Sequence, residues 1–387
     1  MLRRVLFLLA GLVGLVLLAG VALPVVQARR LGKRLEADVA AARARVVPLA
    51  TVVDDVPPVE NGFACVAEAL EGLPEDLSLF KLNRAEGVPD LAPWWRGEAP
   101  LETLPAEWVA EAERLTPWAA RLRGCGAARA LQYTDAMLPW SSQPRHAEAL
   151  MALTRVTALE LRHLVAAGQP GEAARRCRLT LAVALDQSHL GLLGAMLAYS
   201  AATVLVPRCA EALDALPVEA RTPERWADLR GRAAPASALV ETERLKTSVV
   251  AFSALGDVEV PSRPAEADFE VSSPLVGLLL RTVWHSWDAR MRALAQARPG
   301  VEFELASEAL ETGAWMRLEP NGVLLSGNYR RFVGRVAEGH TLVAALAWLA
   351  AGEAGAPPAG VRRGDDDIVW IDTDGRERPL RRVLSLR

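Results

Sequence analysis

The hydrophobic pattern opens on an uninterrupted apolar run and then settles into helical periodicity broken by short polar, Pro- and Gly-containing stretches. Arg3 and Arg4 precede Val5 to Val26, which carries no charged residue, and Arg29, Arg30, Lys33 and Arg34 begin a charged flank. At ~1.5 Å of rise per residue such a run reaches across a ~30 Å hydrocarbon layer. Residues 1–28 are therefore expected to form one transmembrane helix, an uncleaved anchor. A cleaved signal peptide is the other reading, with Val26-Gln27-Ala28 as its small-residue cleavage site.

Past the run, Leu31, Leu35, Val39, Ala42 and Val46 recur at helical spacing, which predicts a stalk helix and then a Pro-rich linker over residues 29–60. A helical domain is expected over 61–256. It begins with a helix from Asn61 to Leu73 and includes Thr103 capping a helix that starts at Pro105 and is interrupted at Pro117. Arg145 to Ala167 and Glu172 to Gln187 lack internal Pro and Gly and flank Gly168-Gln169-Pro170-Gly171, the pattern of a helical hairpin. Leu190 to Val206 is uncharged, yet Gly191, Gly194, Ser200 and Thr203 dilute it, so it reads as a buried core helix rather than a second span. Thr222-Pro223-Glu224 has a hydroxyl, a first-turn proline and an acid in the order of a helix start, and helices from there reach about Gly256.

The acidic segment 257–273, with Pro261 and Pro264, reads as a linker, and 274–387 as C-terminal helices with a β-hairpin tail. In that last part Pro320-Asn321-Gly322 and Asp374-Gly375 mark hairpin turns. Ile368 to Asp372 alternates as a strand, and Pro379 confines the returning strand to an edge. The fold class is thus mostly α: a helical-hairpin, tetratricopeptide-like array or an irregular helical bundle, with small β-hairpin elements near the C-terminus.

Composition narrows the function only by exclusion. With 44 Lys and Arg against 47 Asp and Glu the net charge is −3, which offers no general field for nucleic acid. The four cysteines, Cys65, Cys125, Cys177 and Cys209, are widely spaced without any C-x-x-C, and either form two disulfides in an oxidising compartment or sit as buried thiols. Basic residues flank both ends of the apolar run. Their count alone would leave the body in the cytoplasm, whereas an even cysteine number and signal-anchor habit favour a periplasmic or otherwise extracytoplasmic body.

Pro57-Pro58-Val59-Glu60-Asn61 leading into an Ala/Leu helix, the Ala166-to-Ala173 hairpin and the late Ala-rich helix before a short β tail together resemble uncharacterised bacterial membrane-anchored helical proteins of the envelope. In that group the hairpin is similar to a tetratricopeptide unit, and the tail sometimes to that of a pseudopilin, whose Tyr-Pro and Asp-Pro signatures this chain lacks. The resemblance implies architecture and export, with no chemistry attached.

No catalytic, cofactor or metal constellation emerges. His146, His163, His189, His285 and His340 never pair at i+3 or i+4, and H-E-x-x-H is missing. Trp284-His285-Ser286-Trp287-Asp288 gathers a base, a hydroxyl and a carboxylate, but helical neighbours point ~100° apart and do not meet as nucleophile and base. Asp365-Asp366-Asp367 with Asp372 and Asp374 does not follow the EF-hand order and reads as turn chemistry. Trp94 and Trp95, between prolines, are the residues expected to meet a partner. The expectation is a membrane-anchored scaffold or interaction module, leaning away from an enzyme, with the membrane and an envelope protein as partners and no nucleic acid. An envelope hydrolase with a site assembled from distant residues, and an accessory part of a secretion or pilus-like machine, are the alternatives.

Overall fold

The computed structural model describes residues 22, 26–27, 29–49, 56–74, 91–139, 144–254, 287–296, 329–364, 367–372 and 375–382. The expected anchor, the linker at 257–273 and the hairpin around Asn321 lie essentially outside them. The described chain is mostly helical with two small three-stranded sheets. In order it comprises α1 (29–44), β1 (Val47–Pro48), β2 (Val59–Asn61), α2 (Gly62–Glu71), α3 (Ala92–Trp95), α4 (Ala106–Gly124), β3 (Ala128–Leu131), α5 (Pro144–Ala166), α6 (Pro170–Asp186), α7 (Leu192–Asp214), α8 (Pro223–Arg232), α9 (Ala236–Ala254), α10 (287–296), α11 (Tyr329–Ala350), β4 (Val361–Arg363), β5 (Asp367–Ile371) and β6 (Glu377–Arg382). Residue contacts divide it into two units, one from Met1–Ala44, Pro139–Ser141 and Val240–Tyr329, the other from Arg45–Leu138, Ser142–Leu239 and Arg330–Arg387.

The larger unit is organised by α5, α6 and α7, which pack on one another more extensively than any other helices. Their facing positions are largely alanine, which lets helix axes approach closely, and Ala158, Ala173, Ala182, Ala198, Ala202 and Ala210 are all buried. Gly168, at φ 72°, turns the chain between α5 and α6 in the left-handed region that glycine adopts without a Cβ clash. Among the described residues α7 is long and apolar enough to span a bilayer, but half of its most apolar stretch is buried inside the protein, against α5 and α6. α11 adds Leu342, Leu346 and Leu349 to this core, and the sheet β4-β5-β6 adds Val361, Ile368, Trp370 and Leu380.

A second core gathers around α2 and α4. Asn61 caps α2 by accepting from the Phe63 N–H at 3.1 Å, and Phe63 stacks on Tyr133 with ring centroids 5.5 Å apart. Beside it β3 pairs antiparallel with β1 and parallel with β2. Cys65 is bonded to Cys125 and Cys177 to Cys209, with Cα separations of 5.6 and 5.8 Å, so one bridge ties α2 to the end of α4 and the other ties α6 to α7.

Local departures from the sequence expectations have plain causes. Pro117 does not interrupt its helix: α4 runs through it to Gly124, because Pro117 and Glu113, whose carbonyl it frees, lie on the exposed face while Trp108, Leu115, Trp118 and Leu122 bury the other. Pro207 is likewise internal to α7, which extends to Asp214. Thr103 sits in a 3-10 turn rather than at a cap, with its hydroxyl donating to the Pro100 carbonyl at 2.7 Å. Thr222 precedes Pro223 in a left-handed conformation and makes no capping bond.

In the smaller unit α1 is not a lone stalk. Leu31, Leu35 and Val39 are buried, whereas Val46, beyond the helix end, is 53% exposed. At the far end of the chain β5 and β6 form the expected hairpin, with β6 at the sheet edge and Pro379 paired opposite Val369.

Candidate functional site

The tryptophans singled out from sequence sit on a closed loop of the larger unit. Leu91 is buried and starts the single turn of α3, in which Pro93 fixes the first-turn geometry. Gly97, at φ 75°, reverses the chain so that the N–H groups of Glu98 and Ala99 reach the Pro93 carbonyl at 2.7 and 3.0 Å. A Cβ at Gly97 would run into the Arg208 guanidinium.

Each ring is half-buried and each already has a partner. The Trp94 indole N–H donates to Thr103 Oγ1 at 3.0 Å, and the Arg155 guanidinium lies 4.9 Å from the Trp95 ring centroid. Trp95 packs against both cores of its unit, and Trp94 against the core around α2 and α4. From α5, Arg162 clamps the loop, donating from Nη1 to the carbonyls of Trp94 at 2.6 Å and Ala99 at 3.0 Å. Burial pushes the Arg162 and Arg208 guanidiniums below the usual arginine range, with Glu211 opposing that shift in both. Burial raises the Glu211 carboxyl in turn, against the pull of Arg208 and Arg162. The arrangement therefore fixes a shape. It leaves Arg96, Gly97 and Glu98 on the outside of a rigid turn and holds no nucleophile beside a base.

Two ion-pair centres were not legible as sites. In the larger unit Asp186 accepts from Arg232 Nε at 3.1 Å and Nη2 at 2.7 Å, both side chains only 3% exposed. Arg232 also donates to the Ala128 carbonyl at 3.2 Å, tying α8 to β3. Burial raises the Asp186 carboxyl to about 6, with Arg232 opposing.

Ser188 and His189 follow Asp186 closely, yet the three do not form a relay. Ser188 Oγ donates to the Leu185 carbonyl and accepts from the Ala234 N–H, while His189 Nε2 meets the Arg232 carbonyl at 3.0 Å. Tyr133 Oη donates to the His189 carbonyl at 2.6 Å, linking β3 to the same corner.

In the smaller unit Arg244 is fully buried and donates to Asp288 at 2.6 Å, Asp38 at 2.8 Å and Glu241 at 2.5 Å. Ser248 donates to Asp288 at 3.1 Å, and Arg292 bridges Asp288 at 2.9 Å and Asp38 at 2.8 Å. Burial works against the Asp288 carboxylate, but Arg244 and Arg292 hold its pKa below the ordinary value. The signal that could have found this centre is Arg244 itself, a charge set among Val240, Leu245 and Val249, all buried on α9.

The remaining sequence candidates are placed as follows. His285 and Ser286 lie outside the described residues, while Trp287 is buried and Asp288 is committed to Arg244. Asp365, Asp366 and Asp374 also lie outside them; Asp372 accepts from the Arg376 N–H and from Arg378, as a turn residue does. His163 is exposed, and burial pushes His146, His189 and His340 below the usual imidazole value. Among the described residues no group of three His, Cys, Asp or Glu side chains could hold a metal ion. Comparison with family models, with characterised proteins and with solved structures finds no match to this chain.

Proposed function

We propose that this chain is a membrane-anchored envelope protein whose helical body acts as a scaffold or protein-interaction module. The observation that carries the reading is the cysteine pairing: all four cysteines of the sequence are bonded, each bridge joining two helical segments of one unit. Disulfides of this structural kind persist in oxidising compartments, and an apolar N-terminal run is the means of reaching one. In this reading residues 1–28 are the anchor, the body is periplasmic, and α5 with α6 serves as a tetratricopeptide-like hairpin beside the rigid Trp94–Trp95 turn.

The buried charge centres agree with a scaffolding role. Asp186 with Arg232, and Arg244 with Asp288, are spent on joining elements, as charges are when they specify one arrangement of packed helices.

The test is to alkylate free thiols in intact host cells, then capture a C-terminally tagged copy in mild detergent and identify its companions. Blocked thiols and a stoichiometric envelope partner, lost when His163, Ala166 and Gln169 on the exposed end of the hairpin are replaced by glutamate, support the reading. Four thiols that alkylate in the cell would remove the envelope placement. A chain that comes down alone would remove the scaffold role.

A further inference from the structure

α1 carries a second face besides the one that packs. Leu31, Leu35 and Val39 are buried, and Asp38 accepts from Arg244 and Arg292, so that side of the helix is fixed to the rest of its unit. Arg29, Arg30, Lys33 and Arg34 are all exposed. At about 100° per residue these four fall within one sector of the helix, on the side away from the buried stripe.

That sector holds no acid. Its continuation along the helix is Ala37, Ala40, Ala41 and Ala44, all exposed, so the charge is confined to the first two turns. None of the four cations pairs with a described acidic residue, whereas Arg244 and Arg292 of the same unit are fully engaged.

We propose that this face is a docking surface for anionic lipid headgroups of the leaflet on the body's side. The choice of occupant rests on position and charge. The first of the four follows Val26, the end of the apolar run, by three residues, and the set spans ~8 Å of helix axis, about one Debye length at physiological salt. A cluster of cations at that place faces the phosphate layer, where each is worth about fivefold in affinity. The packed face then transmits the contact: with α1 held through Asp38 to α9 and α10, binding the leaflet fixes the tilt of these elements against the membrane. The inference rests on the proposed anchoring.

The full chain, carrying an environment-sensitive fluorophore at Ala37→Cys, is reconstituted with phosphatidylcholine vesicles and with mixtures of phosphatidylcholine and phosphatidylglycerol, then floated. Co-flotation with neutral vesicles at high salt reports the anchor. The emission shift that appears only with phosphatidylglycerol reports the basic face. The expected result is both, with the shift erased by salt and the phosphatidylglycerol requirement rising by about fivefold for each of R29Q, R30Q, K33Q and R34Q. Co-flotation with identical emission in both lipids overturns the basic face and leaves the anchor standing. Flotation with phosphatidylglycerol vesicles alone, reversed by salt, retains the basic face and removes the anchor. Failure to float with either removes both.

Discussion

At the scale of single residues, stability concentrates where a charge has been taken out of water. Arg244 is fully buried with Asp288 at 3% exposure, so removing Arg244 takes the closest cation from a desolvated carboxylate and leaves it with Arg292 and Ser248. Arg244→Met is expected to destabilise the protein by about 3–5 kcal/mol, and adding Asp288→Leu to recover part of that loss; chemical unfolding of the two single variants and the double closes the cycle. Titration supplies a second expectation. Burial holds His146, His189 and His340 below their unfolded value of about 6.5, so the unfolded chain binds protons first and stability drops as the pH falls below about 6.5. Asp186, raised to about 6, acts the other way, since the folded chain takes up its proton before the unfolded one and gains stability between about pH 6 and pH 4. Three imidazoles oppose the two carboxyls that burial raises, Asp186 and Glu211, and the melting temperature should fall from pH 7 to pH 5. His340→Gln should make that fall shallower.

At the scale of elements, periodicity and punctuation were reliable where the burial was one-sided. The α5–α6 hairpin, the start of α2 at Asn61 and the β5–β6 return all follow from apolar spacing and from turn residues such as Gly168 and Gly375, each at positive φ. Pro117 misled for a specific reason: it frees the carbonyl of Glu113 on the exposed face of α4, where solvent absorbs the loss, and no sequence pattern reports which face of a helix will be wet. The strands β1, β2 and β3 were illegible because they are two to four residues long and pair across distant segments, Val47 with Leu131 and Val59 with Ala128. Close backbone approach was equally hidden. A Cβ on Gly126 would lie within 3.0 Å of three Leu179 backbone atoms, so Gly126→Ala must push the 3-10 turn away from α6 and is expected to cost about 1–3 kcal/mol in urea unfolding. The bridges act on the same elements, closing loops of 60 and 32 residues, and loss of either should cost about 3–4 kcal/mol by the same measurement.

At the scale of the whole molecule, the two units are assembled from segments that a reading along the chain keeps apart, and this is why the ion-pair centres were invisible as sites. Asp38 and Arg244 are separated by 206 residues, and nothing local to either announces the other. The same discontinuity makes the units separable by perturbation. Both disulfides and the Asp186–Arg232 pair belong to the larger unit, whereas the Arg244 centre joins α1, α9 and α10 of the smaller one. A cooperative unit opens as a block, with its own free energy, when its central contacts are weakened. Native-state hydrogen exchange of Arg244→Met should therefore show faster exchange across 29–44 and 240–254 together, with α5, α6 and α7 unchanged. Removing the Cys177–Cys209 bridge should do the reverse. Acceleration spreading through both units from either change would mean that the chain opens as one cooperative body, and that weakening the charge centre around Arg244 loosens the helical core around α7 as well.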